Sequence, residues 1–322
     1  MFTPIKPPVR QEDFHASLYR GTIFYLEGCR AVAELIEHTQ QFLEEALHPH
    51  SPQLLHEHYK PAQQAEICAK LQTEFGQSGD VKRLWHAVFK AVGLEPAEMA
   101  CDDLYLRFQP HRDRSEAPPR AFSTATLGFH RDTWGTNVYA QTNWWAPVYP
   151  ITSGRTFAFF PDLWSTPLRN TTEDFDFRAI VERSIRGEEV DADEGMPHLL
   201  QEVDSALAKP VVIDPGSMVV FSGAHAHAGV PNSTGLTRIS LETRSVWIED
   251  VRQGLGAPNV DGYAPWVSLG LFRRFSDSVP LHELLGLNSF EPVKRSATEA
   301  NEGAPQATAL SWKVFYSLTV PP

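Results

Sequence analysis

Between Ile23 and Leu47 the apolar residues Phe24, Leu26, Val32, Leu35, Ile36, Phe42, Leu43 and Leu47 recur at helical spacing. The run breaks at Pro49 and Pro52 and predicts a helix over 23–47. Further helices are expected at 62–75 and 80–92, the second closed by Gly93. The period then changes. Leu104-Tyr-Leu-Arg-Phe108 reads as a strand, and strand-like text dominates from about 121 to 249. Asn137–Tyr149 alternates, with Tyr139, Gln141, Asn143 and Trp145 on one face and Val138, Ala140, Thr142, Trp144 and Val148 on the other. Ser153-Gly154 turns into Arg155–Phe160, which stops at Pro161. An acidic stretch over 173–208 is expected to be a helical insertion. Asp214-Pro-Gly-Ser217 is a tight turn before a short buried strand, Met218–Phe221. Asn232-Ser-Thr-Gly235 predicts a hairpin turn, returning the chain as 237–248 and bringing Arg238 beside the strand of His227.

These elements predict one domain over 1–322. It comprises a helical region (1–100), a β-sandwich or barrel core (101–250) carrying the insertion, and a C-terminal extension (251–322). A length of 322 residues with 42% hydrophobic content suits one elaborated domain. No apolar run reaches the length of a membrane span, and the N-terminus lacks the apolar segment of a secretory signal. Cys29, Cys68 and Cys101 are too few and scattered for a disulfide framework or a zinc site, so a reducing, cytoplasmic setting is expected. The net charge of −12, with no basic stripe, argues against nucleic-acid binding.

Two segments far apart carry candidate chemistry. One is His130-Arg131-Asp132; the other is His227, followed eleven residues later by Arg238-Ile239-Ser240. Two histidines and a carboxylate form the facial triad that holds Fe(II) with positions left open, and a nearby arginine can clamp a carboxylate co-substrate. Each half alone is weak. A second H-x-D, His111-Arg112-Asp113, lies in the charged, proline-bearing stretch 110–119 and reads as a solvated loop. His130 follows Thr124–Phe129, read as a strand end that would hold a ligand rigidly. His130–Asn137 also matches the kinase catalytic-loop pattern H-R-D-x-x-x-x-N letter for letter. No G-x-G-x-x-G accompanies it, and Asp174-Phe175-Asp176 is the nearest approach to D-F-G, so a kinase is excluded. Arg238 and Ser240 share a strand face with Glu242 and Arg244, which in an ordinary sandwich would be a solvated face. The return from His227 and the upstream H-x-D favour a co-substrate clamp instead.

Together these residues resemble the Fe(II)/2-oxoglutarate-dependent dioxygenases, most closely their phytanoyl-CoA dioxygenase-like branch. The resemblance is carried by His130-x-Asp132, Trp144-Trp-Ala-Pro-Val148, Ser153-Gly154 and Phe159-Phe-Pro161. It continues through Asp214-Pro-Gly216, His227, Asn232-Ser233 and Arg238-x-Ser240, covering about residues 100–250. It implies a mainly β fold with α: a double-stranded β-helix (jelly-roll, cupin-like) core flanked by N-terminal helices. It assigns iron to His130, Asp132 and His227, and the far carboxylate of the co-substrate 2-oxoglutarate to Arg238, helped by Ser240. It implies an O2-using hydroxylase of a small-molecule substrate, with succinate and CO2 as co-products, and by analogy a biosynthetic step. Halogenating members have a small residue in place of the carboxylate; Asp132 therefore implies hydroxylation or desaturation. Pro161-Asp162-Leu163-Trp164 departs from the glycine-serine-histidine run usual in the family.

Several assignments stay open from sequence. In His225-Ala-His227 the spacing to Arg238 selects His227, leaving His225 as a substrate contact, a group behind the ligands or an ordinary strand histidine. Tyr139, Gln141, Asn143 and Trp145 either line the pocket or pack on the helices. Arg107 can contact co-substrate or substrate. The 173–208 insertion is a lid or a surface excursion. His48, His50, His56 and His58 flank Pro49 and Pro52 and read as a solvated connection rather than a second metal site. Trp134, Trp144, Trp145 and Trp164 permit a ring-bearing substrate but also simply fill sandwich cores. A cupin-like metalloenzyme that does not use 2-oxoglutarate and a non-catalytic jelly-roll binding module are the alternatives.

Overall fold

A computed structural model of the chain describes residues 1–113, 121, 123–188, 190, 191 and 194–293. The chain opens with β1 (Thr3–Pro4), α1 (Gln11–Tyr19) and β2 (Phe24–Leu26). Four helices follow: α2 (Arg30–Leu47), α3 (Leu55–His58), α4 (Pro61–Gln77) and α5 (Gly79–Val92). Next come β3 (Met99–Cys101), β4 (Tyr105–Gln109), α6 (Asp132–Thr136), β5 (Thr142–Pro147) and β6 (Phe157–Phe159). After α7 (Phe177–Ile185) come β7 (Lys209–Pro210), β8 (Met218–Ser222), β9 (His227–Gly229) and β10 (Arg238–Trp247). The described chain ends with α8 (Ile248–Gln253), β11 (Trp266–Val267), β12 (Arg273–Arg274), α9 (Leu281–Leu285) and β13 (Glu291–Pro292).

The fold is mixed helix and sheet, its sheets antiparallel apart from the short β1–β2 pair. The larger sheet runs β1-β2-β8-β5-β10-β3-β12, with β4 also paired to β10; a smaller one runs β7-β6-β9. Side chains alternate across a strand, so each face of the larger sheet meets a different layer. Its outer face, with Leu106, Phe108, Trp144, Ala146, Val220, Ile239 and Leu241, packs on Leu35, Ile36, Phe75, Trp85 and Phe89 of the helices. The Phe89 and Trp144 rings meet edge-on with centroids 5.1 Å apart. Its inner face sends Trp145, Val219 and Phe221 against Phe157 and Phe159 of the smaller sheet. Trp144, not Trp145, therefore faces the helices.

Four sequence expectations need correction. The helix expected over 23–47 begins only at Arg30, because Phe24–Leu26 pair with β8; sheet pairing outweighs the local spacing, and Gly28 at φ +65° separates the two elements. The strand expected over 137–149 begins at Thr142, since Asp132–Thr136 form a short helix that Asn137 closes in the left-handed region at φ +56°. Thr124–Phe129 form no strand; His130 instead makes an isolated bridge to His227. The turn at 232–235 joins no hairpin, because β9 pairs with β6 in the smaller sheet while β10 pairs with β3, β4 and β5 in the larger. Apolar residues on both inner faces make this crossover the connection that closes the sandwich.

Asn232 shapes that crossover. Its amide donates to the carbonyls of Gln109 (2.8 Å) and Leu236 (2.7 Å), and its oxygen accepts from the Thr234 N–H and hydroxyl at 3.2 and 2.8 Å. In the 173–208 insertion the helical content is α7, with no buried residue, and two single 3-10 turns; residues 189, 192 and 193 lie outside the described residues. Of the second H-x-D loop, 114–119 also lie outside them. No helix among the described residues is long and apolar enough to cross a membrane. Replacing Asn232 by Ala leaves the buried acceptor at Gln109 without its donor, so urea unfolding is expected to show a loss of about 1–3 kcal/mol.

Candidate metal centre

The backbone brings the two ligand segments together. His130 N–H donates to His227 O and His227 N–H to His130 O, both at 2.9 Å, and the two imidazoles lie 4.2 Å apart between centroids. Asp132, in the first turn of α6, directs one carboxylate oxygen to each Nε2 at 3.8 Å. One ligand atom from each of His130, Asp132 and His227 falls within 4.8 Å of the others, the one such group among the described residues. The 48–58 histidines form no such cluster: His50 stacks on His58 at 4.0 Å, and His56 meets His111 at 4.7 Å.

The remaining hydrogen bonds orient the three ligands. His130 Nδ1 lies 2.8 Å from Gly128 O and His227 Nδ1 3.0 Å from His225 O. A carbonyl only accepts, so each Nδ1 carries the proton and each Nε2 presents a lone pair, the tautomer a metal requires. Asn143 donates its amide to Asp132 Oδ2. Behind it Gln141 Nε2 donates to Asn143 Oδ1 and Thr136 Oγ1 to Gln141 Oε1, both at 2.9 Å. Burial pushes His130 down to about 4, helped by the neighbouring His227. Burial alone would raise the Asp132 carboxyl, but His227, His130, Arg244 and the Asn143 bond outweigh it and hold it below its usual range. The cluster thus sets two imidazoles, each aiming Nε2 inward, beside a carboxylate, an N2O donor set suited to Fe(II).

The inner face of β10 supplies a polar floor. Arg238 is only 9% exposed, its Nε has no hydrogen-bond partner, and it forms no ion pair among the described residues. Burial lowers its guanidinium to about 10, with Glu242 opposing and Arg107 adding to the shift. Ser240 donates to Glu242 Oε1 at 3.1 Å, and Glu242 Oε2 stands 3.9 Å from Arg107 Nε. Further along, Arg244 pairs with buried Asp102 and donates to Tyr105 Oη at 3.1 Å. The face expected to be solvated in an ordinary sandwich is therefore interior and charged.

Other sequence candidates separate. Trp145 joins Phe157, Phe159 and Phe221 in an aromatic wall, and the three phenylalanine rings lie 5.6–6.3 Å from the His227 ring. Tyr139, grouped with Trp145 by alternation, precedes β5 and packs instead against residues 256–262. His225 is 1% exposed, with Trp164 at 4.4 Å, and burial lowers it to about 3. Its ring nitrogens make no hydrogen bond of good geometry, though the Gly21 backbone favours its charged form. Sequence reasoning missed Asp102, Gln109 and Asp261. Asp261 lies in Asn259-Val-Asp-Gly262, which reads only as a turn, and its partners are about a hundred positions away.

No family model and no curated protein matches the chain. Among solved structures it is similar to EvdO2 from Micromonospora carbonacea var. aurantiaca, at 14% identity over 76% of this chain and 94% of that one, with a TM-score of 0.41. EctD from S. alaskensis in its apoform aligns at 15% identity over 85% and 89%, with a TM-score of 0.39. The apo non-heme monooxygenase ThoJ aligns at 16% identity over 68% and 70%, with a TM-score of 0.38. Likeness at this level carries no functional weight.

Two outcomes follow from these contacts. Asn143→Ala frees Asp132 to rotate, and calorimetric titration with Mn(II) should show affinity falling about 10- to 100-fold. Two buried histidines contribute to acid sensitivity. His15, lowered chiefly by burial to about 4, and His225, at about 3, are neutral in the folded chain, but near 6.5 each takes a proton when unfolded. Above pH 6.5 they contribute no difference; as pH falls from 6.5 toward 4 each removes about 1.4 kcal/mol of stability per pH unit. Urea midpoints between pH 7 and 4 should trace this loss, and His225→Phe should flatten it; an unaltered slope would acquit His225.

Proposed function

We propose that the protein is an Fe(II)- and 2-oxoglutarate-dependent oxygenase of a small organic substrate, built on a double-stranded β-helix core. The two facing sheets, joined by the β9–β10 crossover, support the reading of the core. His130, Asp132 and His227 have the donor set and pinned tautomers that fit iron. Arg238 carries the co-substrate assignment: a buried guanidinium with no ion pair among the described residues is costly and suits a bound anion.

Bound iron, with 2-oxoglutarate and O2, supplies oxidation of an unactivated C–H bond coupled to decarboxylation of 2-oxoglutarate to succinate. The residues do the positioning. Arg238 offers its planar fork to the far carboxylate of 2-oxoglutarate, and Ser240 can add its hydroxyl by turning from Glu242. Asn143 keeps the Asp132 carboxylate on the metal side. Trp145, Phe157, Phe159 and Phe221 exclude water around the histidines, and the reaction asks no side chain to act as acid or base. Asp132 fills the position that halogenation would need vacant, which favours hydroxylation or desaturation.

The test is anaerobic addition of Fe(II) and then 2-oxoglutarate, monitored for the weak visible metal-to-ligand charge-transfer band. The wild type should show the band. Arg238→Ala should need about 30-fold or more 2-oxoglutarate to reach it, the equivalent of about 2 kcal/mol or more for a lost buried charge partner. Iron binding with no band at saturating 2-oxoglutarate would instead indicate a metalloenzyme that does not use this co-substrate. Retention of ligand binding without any metal dependence would indicate a binding module.

A further inference from the structure

We propose that the segment 254–268, in the C-terminal extension, is a working part of the metal centre, with Asp261 acting through Arg131 as the positioning residue for both ligand segments. This rests on the metal-site reading above. Arg131 stands between the ligands His130 and Asp132, is 2% exposed, and is spent entirely on structure. Its Nε meets Asp261 Oδ2 at 3.2 Å, Nη1 donates to Ala224 O at 2.5 Å, and Nη2 donates to Leu163 O and Thr166 O at 2.7 and 3.1 Å. Ala224 is three residues before His227. One planar guanidinium therefore fixes the turn bearing two ligands to the loop bearing the third.

Asp261 holds that guanidinium in place. It is 3% exposed and accepts from Trp134 Nε1 (2.7 Å) in α6 and from Leu168 N–H (3.1 Å), while its own carbonyl accepts from Asn170 Nδ2 (2.7 Å). The flanking chain is locked to the end of that helix and the residues after it: Ala257 N–H donates to Tyr139 O and Ser268 N–H to Thr136 O, both at 2.9 Å, and Asn137 Nδ2 to Ala264 O at 3.2 Å. The fit leaves no room for side chains, since a Cβ on Gly256 would come within 2.5 Å of the Tyr139 backbone and one on Gly262 within 2.3 Å of Tyr139 Oη. A buried ion pair brings little net stability compared with an apolar pair of the same shape. What this one supplies is a fixed relation between three loops, and outer-layer partners of this kind set metal affinity.

The test is calorimetric titration of the full chain with Mn(II), a redox-inert probe, on wild type, Asp261→Asn and Arg131→Lys, with Val88→Ala as control. Val88 is fully buried among the helices, so its truncation lowers the thermal midpoint without touching the brace. Asp261→Asn and Arg131→Lys should each weaken Mn(II) binding about tenfold or more, and Val88→Ala should leave it unchanged. Arg131→Lys keeps the charge beside Asp261 but cannot reach the three carbonyls together, so it carries the test if Asp261→Asn fails to fold. Wild-type affinity in Arg131→Lys, or a loss no larger than in Val88→Ala, overturns the brace. A wild type that binds no Mn(II) overturns the metal reading itself, and the brace with it.

Discussion

The reciprocal pair of backbone hydrogen bonds between His130 and His227 joins positions 97 residues apart, and the candidate metal centre is built around it. Because the two residues are paired across a bridge, their side chains leave the same face, and each Nδ1 finds a carbonyl two residues back in its own chain. The turn that starts α6 then delivers Asp132 to the gap between the two Nε2 atoms. Three candidate ligands thus need only one bridge and one helical turn. Everything else keeps these in register: β6 beside β9, Asn143 on Asp132, and Arg131 beneath both segments.

The same economy sets the energetics of the interior. Most sandwiches fill the space between their sheets with apolar side chains, but here the inner face of β10 carries Arg238, Ser240, Glu242 and Arg244. Arg244 is matched by Asp102, and Arg107 loosely by Glu242, while Arg238 makes no ion pair among the described residues and its Nε no hydrogen bond. Apolar contact is concentrated instead in the aromatic wall around His227 and in the helix-facing layer. The site therefore sets a row of charged and polar side chains beside a dry aromatic wall.

The amphipathic helices were legible because their apolar stripes satisfy a single local rule; α4 and α5 fall within a residue or two of the expected limits. So was the alternation at 143–145, which separates Trp144 from Trp145 by layer. Pairing was not legible. Nothing local says that Phe24–Leu26 prefer β8 to the helix that follows, or that the chain changes sheets between His227 and Arg238. At the site, the residue types that chemistry demands could be picked out: His130, Asp132 and His227 now share one cluster, and Arg238 lies buried with no ion pair among the described residues. Supporting residues such as Asp261 carry no such mark, because a buried aspartate is identified by partners about a hundred positions away rather than by its neighbours. The kinase-like Asn137 shows the converse, a residue matching a catalytic pattern whose real work is to end a helix and hold Ala264.

Leu106, Phe108, Trp144, Val220, Ile239 and Leu241 form one continuous apolar face, and among the described residues it is covered mainly by α1, α2, α4 and α5. Cutting the chain after the helices would not yield a smaller working unit but a sticky plate, prone to pair with its own copies before His130, Asp132 and His227 could come together. Any chimera that exchanges the first hundred residues must reproduce the relief of that face, indole for indole. The helical region is in this sense a permanently bound chaperone for the strand that carries Arg238.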